Sequence, residues 1–322
     1  MIDVNYTLDC PLWPDAPHQC STVMIIQRFV STVSLLGCLF IIVVICLFRA
    51  YRIFIQRLIL FLSISAAFQC ISYVISDLYT NNFVCQFQAF IMQYFSWSTL
   101  LWVVVMTMNI ILSIYQVSAS KFEKYFHLVA WVFPFFWASL PFIGNNYGQA
   151  GVWCWIKRDA TALRFGTWYI PKFIIIFLLV LVFSFILLRV VRQNKQWKGT
   201  HNTTDTKENV LLIKEVKQLA AYPLIYAILS LPTLIYRIED AVHPNQLPKY
   251  YLLILSVLIS PSIGAVNALA FAFYGDIRNK LSFSQLKFAT LSCFRSSTNS
   301  NVIHNYKVDD EANIISDIEY SS

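Results

Sequence analysis

The stretch FIIIFLLVLVFSFILLRVVRQNKQWK, residues 173–198, runs without a charge to Leu188 and then meets Arg189, Arg192, Lys195 and Lys198. Extended back to 167, the run is long enough to cross a bilayer, which takes about 20 mostly apolar residues. A backbone in hydrocarbon must satisfy its own N–H and C=O groups, so such a run is an α-helix. Working outward, six further runs of this kind lie at 23–47, 58–79, 87–115, 125–143, 216–238 and 250–274. The chain is 57% hydrophobic and only 13% charged, where soluble domains carry about 25% charged residues. The first run is too long for a signal peptide and lacks both leading basic residues and a small-residue cleavage site. These features define an all-α membrane protein, a seven-transmembrane helix bundle.

Lys and Arg in the connectors set the orientation. The residues before the first span hold only Asp3, Asp9 and Asp15, and the 2–3 connector holds no Lys or Arg. The 1–2 connector holds Arg49, Arg52 and Arg57, and the 3–4 connector Lys121 and Lys124. The 5–6 connector, with Lys207, Lys214 and Lys217 besides the cations already named, is the most basic. The exception is the 4–5 connector, with Lys157, Arg158 and Arg164. The bias places the N-terminus outside and the C-terminus in the cytosol, at the plasma membrane. The net charge of +7 is then a topology signal, and nucleic acid is not an expected partner. Asn5-Tyr6-Thr7 is a glycosylation sequon on the outer side; Asn202-Thr203-Thr204 has the same pattern but falls in the cytosol.

On this topology Cys10, Cys20, Cys85 and Cys154 lie outside, where disulfides persist. Cys85 opens the third span, and Cys154, between Trp153 and Trp155, is its expected partner, tying the 4–5 connector over the helical mouth. Two free thiols beside an ordinary aromatic belt are the bland alternative. Cys10 and Cys20 offer a second, smaller loop. Cys38, Cys46 and Cys70 fall inside spans and read as small apolar packers.

A third-span cysteine bridged to a Trp-flanked cysteine in the second outer loop resembles G-protein-coupled receptors. More narrowly, FHLVAW (126–131), IGNNYGQAGVWCWI (143–156), AAYPLIYAI (220–228) and IYRIED (235–240) resemble the slime-mould cyclic-AMP receptors and their plant and animal relatives. The likeness covers about residues 23–275. Rhodopsin-like signatures are missing, since the third span ends NIILSIYQV and the seventh reads NALAFAFY. Relatives that carry an acid after the second-span Ser differ here, where Ala66 follows Ser65, so an acidic switch at that position is not expected. The resemblance implies a receptor that binds an extracellular ligand and activates a heterotrimeric G protein.

Charges within spans are costly and usually functional. Here they gather near the outer ends, as Arg28, Asp77, Lys172, Arg237, Glu239 and Asp240. Each alone reads equally as snorkelling to the interface; together they rim a candidate pocket. Arg28, Lys172 and Arg237 suit an anionic ligand, because guanidinium and ammonium groups recognise phosphate or carboxylate. Tyr94, Trp97 and Trp168 offer flat walls, while Glu239 and Asp240 stand against the idea as possible counter-ions to Arg237. Five scattered histidines lack metal-ligand spacing, no glycine-rich phosphate loop exists, and no catalytic site or cofactor is implied. The absence of a mid-membrane carboxylate or histidine relay argues against a pump.

Proline removes a helical donor and kinks the helix, so Pro223 and Pro232 mark the sixth span as a hinge, against the routine occurrence of proline in membrane helices. The basic inner residues Arg49, Arg57, Lys121, Lys124, Lys214 and Lys217 form the candidate G-protein face, and they also anchor on anionic lipid. Asp276 is an N-cap for an amphipathic helix over 276–290 on the inner leaflet, and Cys293 is a candidate palmitoylation site. The organisation is an extracellular segment at 1–22, the seven-helix domain at 23–275, the amphipathic helix, and a disordered cytosolic tail at 291–322. The rival class is a seven-helix channel, transporter or scramblase; a transporter usually shows inverted repeats and broken midplane helices, and the sequence displays neither.

Overall fold

Seven long helices account for the apolar runs in the computed structural model, which describes residues 17–75, 83–197, 203–242 and 249–273. They are α1 (Pro17–Leu47), α2 (Phe54–Val74), α3 (Phe83–Ile114), α4 (Ala119–Phe142), α5 (Thr161–Arg164, Phe165–Tyr169 and Ile170–Trp197), α6 (Thr203–Val242) and α7 (Tyr250–Phe273). All seven are long and apolar enough to cross a membrane. The described residues fall in one compact unit, Met1–Tyr274; the second unit, Gly275–Ser322, lies outside them. So do Asn5, Cys10, Asp77, Cys293, the 276–290 helix and the 291–322 tail.

Helix ends and apolar runs do not coincide, because hydropathy marks the lipid layer and not where hydrogen bonding stops. At 40 residues α6 is about 60 Å long, twice the hydrocarbon thickness. Helix α2 begins at Phe54 after an extended Ile53, four residues ahead of the apolar run. Helices α4 and α5 are each interrupted by one π turn, at Leu128–Val132 and Phe165–Tyr169.

The surface is apolar and much of the interior is polar. Ile25, Phe29, Phe136 and Phe177 are each more than 60% exposed, a pattern that suits contact with lipid. Inside lie Gln27, Gln88, Gln93, Asn109 and Asn267 together with a set of serines. Helix α3 runs through the centre, with Trp97, Trp102, Met106 and Ile110 almost wholly enclosed. Cys38 and Cys70 are buried as expected of packers, while Cys46 faces outward.

Helix α7 is broken at Ser260–Ser262 by a 3-10 turn around Pro261. Just below the break Ser34 of α1 meets the α7 backbone: its Oγ accepts from Gly264 N at 2.8 Å and from Ala265 N at 3.2 Å. Two glycines allow the approach. A Cβ on Gly264 would sit 2.4 Å from Cys38 Sγ and 2.7 Å from the Ser34 carbonyl oxygen, and one on Gly37 would sit 2.9 Å from the Gly264 carbonyl oxygen.

Between α4 and α5 the chain forms a hairpin of β1 (Tyr147–Gln149) and β2 (Cys154–Ile156), paired antiparallel with Gly148 opposite Trp155. The turn passes through Gly151 at φ 128, a backbone geometry that only glycine adopts easily. The Tyr147 hydroxyl donates to the Ala138 carbonyl at 2.7 Å, and burial pushes its ionisation upward. The hairpin is thereby fixed to the end of α4.

Candidate functional site

Cys85, in the first turn of α3, is bonded to Cys154 at the start of β2, with the two Cα atoms 5.3 Å apart. The bridge brings Trp155 down onto the bundle. Trp155 is 2% exposed, and its Nε1 donates to Gln93 Oε1 of α3 at 2.8 Å. Two guanidinium groups lie over its ring, Arg237 of α6 at 4.5 Å and Arg164 of α5 at 5.1 Å. Such contacts gain from the ring quadrupole when they are desolvated. Trp153 is half-buried and packs against the clusters around both Cys85 and Cys20. The connector thus forms a cap held by covalent, aromatic and ionic contacts.

The cations of this connector, the exception to the charge bias, are all engaged within the protein. Arg158 pairs with Asp240 at 2.9 Å, and Arg164 approaches the other oxygen of Asp240 at 3.8 Å. Arg164 also donates from Nε and Nη2 to the Ile156 carbonyl, at 3.0 and 2.6 Å. Lys157 donates to the Asn145 carbonyl at 3.0 Å. Glu239 pairs with Lys249, whose ammonium ionisation is raised by that contact.

Both acids next to Arg237 are therefore held by other cations. Arg237 lies near the rings of Trp155, Tyr236 (5.0 Å) and Tyr169 (6.0 Å), and its buried Nε has no hydrogen-bond partner. Lys172 is 9% exposed, with its ammonium 4.1 Å from the centre of the Trp168 ring. Among the described residues it has no ion pair and no hydrogen bond. Lys172 and Arg237 line one cavity of about 630 Å³ between α5 and α6, reached by Ser260 of α7. A buried charge costs several kcal/mol unless it is paired, and neither Lys172 nor Arg237 is in an ion pair among the described residues.

The other residues singled out by sequence are placed as follows. Trp168 lines the cavity with Lys172 and Arg237. Trp97 is one ring behind, edge-on to Trp168 at 6.0 Å. Tyr94 faces α4, donating to the Trp131 carbonyl at 3.1 Å. Arg28 stays on α1, where its carbonyl accepts from the Thr32 hydroxyl; neither it nor Glu239 lines the cavity. Cys20 is disulfide-bonded, but the Cys10–Cys20 pairing reaches outside the described residues through Cys10.

At the other end of the bundle Arg57 makes a bidentate pair with Glu123, both bonds at 2.7 Å, and donates to the Tyr51 and Arg52 carbonyls. It joins α2 to α4. Lys121 and Lys124 are exposed and Arg49 is half-buried. Lys214 and Lys217 belong to α6, with side chains outside the described residues, and Pro223 and Pro232 lie inside that helix. Gln93, Tyr169 and Tyr236 were not apparent from sequence, since neutral polar and aromatic residues in a span carry no signal of their own. Arg158 and Arg164 did leave one, in the anomalous charge of the 4–5 connector.

The family model for slime mold cyclic AMP receptors matches residues 15–314. The chain is 28% identical over 248 residues to cyclic AMP receptor-like protein A of Dictyostelium discoideum, covering 76% of this chain and 63% of that protein. It is 25% identical over 269 residues to G-protein coupled receptor 1 of Arabidopsis thaliana, covering 81% of each. Cyclic AMP receptor 1 of Dictyostelium discoideum is 27% identical over 133 residues, covering 41% of this chain and 33% of that protein. The chain thus spans less than two thirds of the first relative's length.

Proposed function

Since the chain belongs to the slime mold cyclic AMP receptor family, we propose that it is a plasma-membrane receptor that binds an acidic ligand outside and activates a heterotrimeric G protein inside. The observation that carries this reading is the pair of buried cations, Lys172 and Arg237, lining one cavity with no carboxylate bound to either among the described residues. The connector charges support placing the disulfide-capped end outside. The family relationship supports the G protein as partner.

Lys172 and Arg237 repel each other while the cavity holds no anion. A phosphate or carboxylate between them replaces repulsion by charge-assisted hydrogen bonds and draws the capped ends of α5 and α6 together. Pro232 lies five residues from Arg237 and Pro223 lies further along the same helix. Each lacks a donor, so the helix bends there at low cost. The far end of α6, with Lys214 and Lys217, then swings relative to α3, beside the exposed Lys121 and Lys124 that would meet the G protein.

The test is nucleotide exchange on a panel of G proteins by purified receptor in lipid nanodiscs. The acidic ligands offered include cyclic AMP, which gives the relatives their name. Lys172→Ala and Arg237→Ala should each weaken agonist potency at unchanged surface expression, and labels at the inner ends of α3 and α6 should separate on activation. Full potency in the double variant, or a native agonist that proves cationic, refutes the acidic pocket. Exchange by no G protein on the panel, together with lipid scrambling or ion flux in liposomes, refutes the receptor reading.

A further inference from the structure

The cavity between α5 and α6 has two chemically distinct ends. Lys172, Trp168, Tyr169 and Arg237 line it at the capped end; deeper in the span the α5 wall is apolar, with Ile174, Phe177 and Leu178, and faces Leu234 and the hydroxyl residues Ser230, Thr233 and Ser260. Helices α5 and α6 run in opposite directions, so both walls deepen together. Leu178 lies six residues below Lys172, and Ser230 lies seven below Arg237. At 1.5 Å per residue the cavity extends about 9–10.5 Å beneath the cation layer.

This apolar wall is also the outer surface of the bundle. Ile174, Phe177 and Leu178 line the cavity and are 53%, 61% and 50% exposed, at a depth where the surroundings are hydrocarbon. Lys172, by contrast, is buried and has no bonded partner among the described residues. The cavity therefore meets lipid along its side and presents charge only at its head.

On the receptor reading above, we infer that the ligand is a single-chain anionic amphiphile that reaches the cavity from the bilayer, between α5 and α6. Its acid group lies between Lys172 and Arg237, and its alkyl chain runs down the groove formed by Ile174, Phe177 and Leu178. A chain already dissolved in lipid gains little from the hydrophobic effect on moving into the groove, so discrimination rests on the acid group. The volume of about 630 Å³ falls in the range of small-molecule sites, about 300–1,000 Å³, and suits one chain better than a two-chain phospholipid.

The probe is an alkyl-diazirine fatty acid, photolysed with the protein in phosphatidylcholine nanodiscs without G protein, and the adducts are mapped by mass spectrometry. The neutral alcohol of the same chain reports simple partition. The acid should label 173–178 and 230–238 preferentially, and unlabelled oleate or oleoyl lysophosphatidate should compete. Cyclic AMP and inorganic phosphate, which lack a chain, should compete far less. Lys172→Met, which keeps the stem and removes the charge, should cut the preference over the alcohol at least tenfold, the scale of one lost charged hydrogen bond. Ser230→Phe fills the groove without touching the cations and should abolish labelling while the protein stays monodisperse. Equal labelling by acid and alcohol, adducts spread evenly over the exposed faces of α1 and α4, or undiminished labelling in Lys172→Met overturns the inference. Competition by cyclic AMP as strong as by oleate also overturns it and leaves the acidic-ligand receptor standing. Failure of G-protein exchange with labelling intact sinks the receptor reading alone.

Discussion

Replacing Gly264 with alanine should separate α1 from α7. The added Cβ would lie 2.4 Å from Cys38 Sγ, 2.6 Å from Ser34 Oγ and 2.7 Å from the Ser34 carbonyl oxygen. The sulfur and hydroxyl can turn aside, but the carbonyl belongs to the α1 backbone, so the helix itself must move. Overpacking of this kind costs about 1–3 kcal/mol. Movement of α1 also lengthens the bonds from Gly264 N and Ala265 N to Ser34 Oγ, and a buried unsatisfied N–H costs a further 1–3 kcal/mol or so. The expected total is about 2–6 kcal/mol on those two scales. At roughly 2–4 °C per kcal/mol for a large domain, the melting temperature should fall by about 4 °C or more. Intrinsic fluorescence during heating in detergent measures this. Gly166→Ala is the internal control, because a Cβ there meets nothing within 4 Å; it should be neutral or slightly stabilising. Adding Ser34→Ala to Gly264→Ala removes one clash and leaves the carbonyl clash in place, so it should not restore the melting temperature. If Gly264→Ala melts with the parent protein, the close α1–α7 approach is wrong.

Three further outcomes follow from contacts away from the cavity. Glu123→Gln should destabilise by about 1–3 kcal/mol, because it leaves the partly buried Arg57 guanidinium without its carboxylate, and an exchange of the two residues should recover part of the loss in thermal melts. Cys85→Ser and Cys154→Ser should each lower stability by about 2–5 kcal/mol and together cost no more than either alone; additive losses would mean the two cysteines are not bonded to each other. Tyr147→Phe removes the bond to the Ala138 carbonyl and should cost about 1 kcal/mol at neutral pH. Burial holds the Tyr147 ionisation above its ordinary value of 10.0, so its stabilising share is complete below that pH and declines as pH rises past it. The gap between parent and variant melting temperatures should therefore narrow in alkali, and a gap independent of pH would refute this account.

The seven spans were legible because hydrocarbon demands length and apolarity, and both are visible in a window of residues. Lys172 and Arg237 were legible for the complementary reason that charge in such a window is conspicuous. What hydropathy could not convey is where hydrogen bonding continues past the lipid, as in α6, or where a helix changes pitch, as at the two π turns. Pairings between distant residues were also invisible. Ser34 meets Gly264 across 230 positions, and nothing near either residue announces the other. Glu239 and Asp240 stood as counter-ions to Arg237 on sequence proximity alone. Residue 239 leaves the helix on the side away from 237, where Glu239 meets Lys249, while Asp240 shares the Arg237 face at i+3 but bonds Arg158 and Arg164 instead.

The π turn at Phe165–Tyr169 sits between two residues with separate duties. Arg164 before it holds the β2 carbonyl of Ile156, and Lys172 after it lines the cavity. Each residue of an α-helix advances the side-chain direction by about 100°, and a π turn inserts one residue's worth of phase. In an uninterrupted α-helix, with Arg164 kept on the hairpin, Lys172 would point about 100° away from where it now points. No substitution corrects an angle of that size; only adding or removing a residue does. Deleting Gly166, where an added Cβ would meet nothing within 4 Å, should close the π turn and still leave Arg164 on the hairpin and Lys172 at the cavity, because seven α-helical steps then cover the angle that eight cover now. The lining of this cavity is therefore set by counting residues as much as by their chemistry.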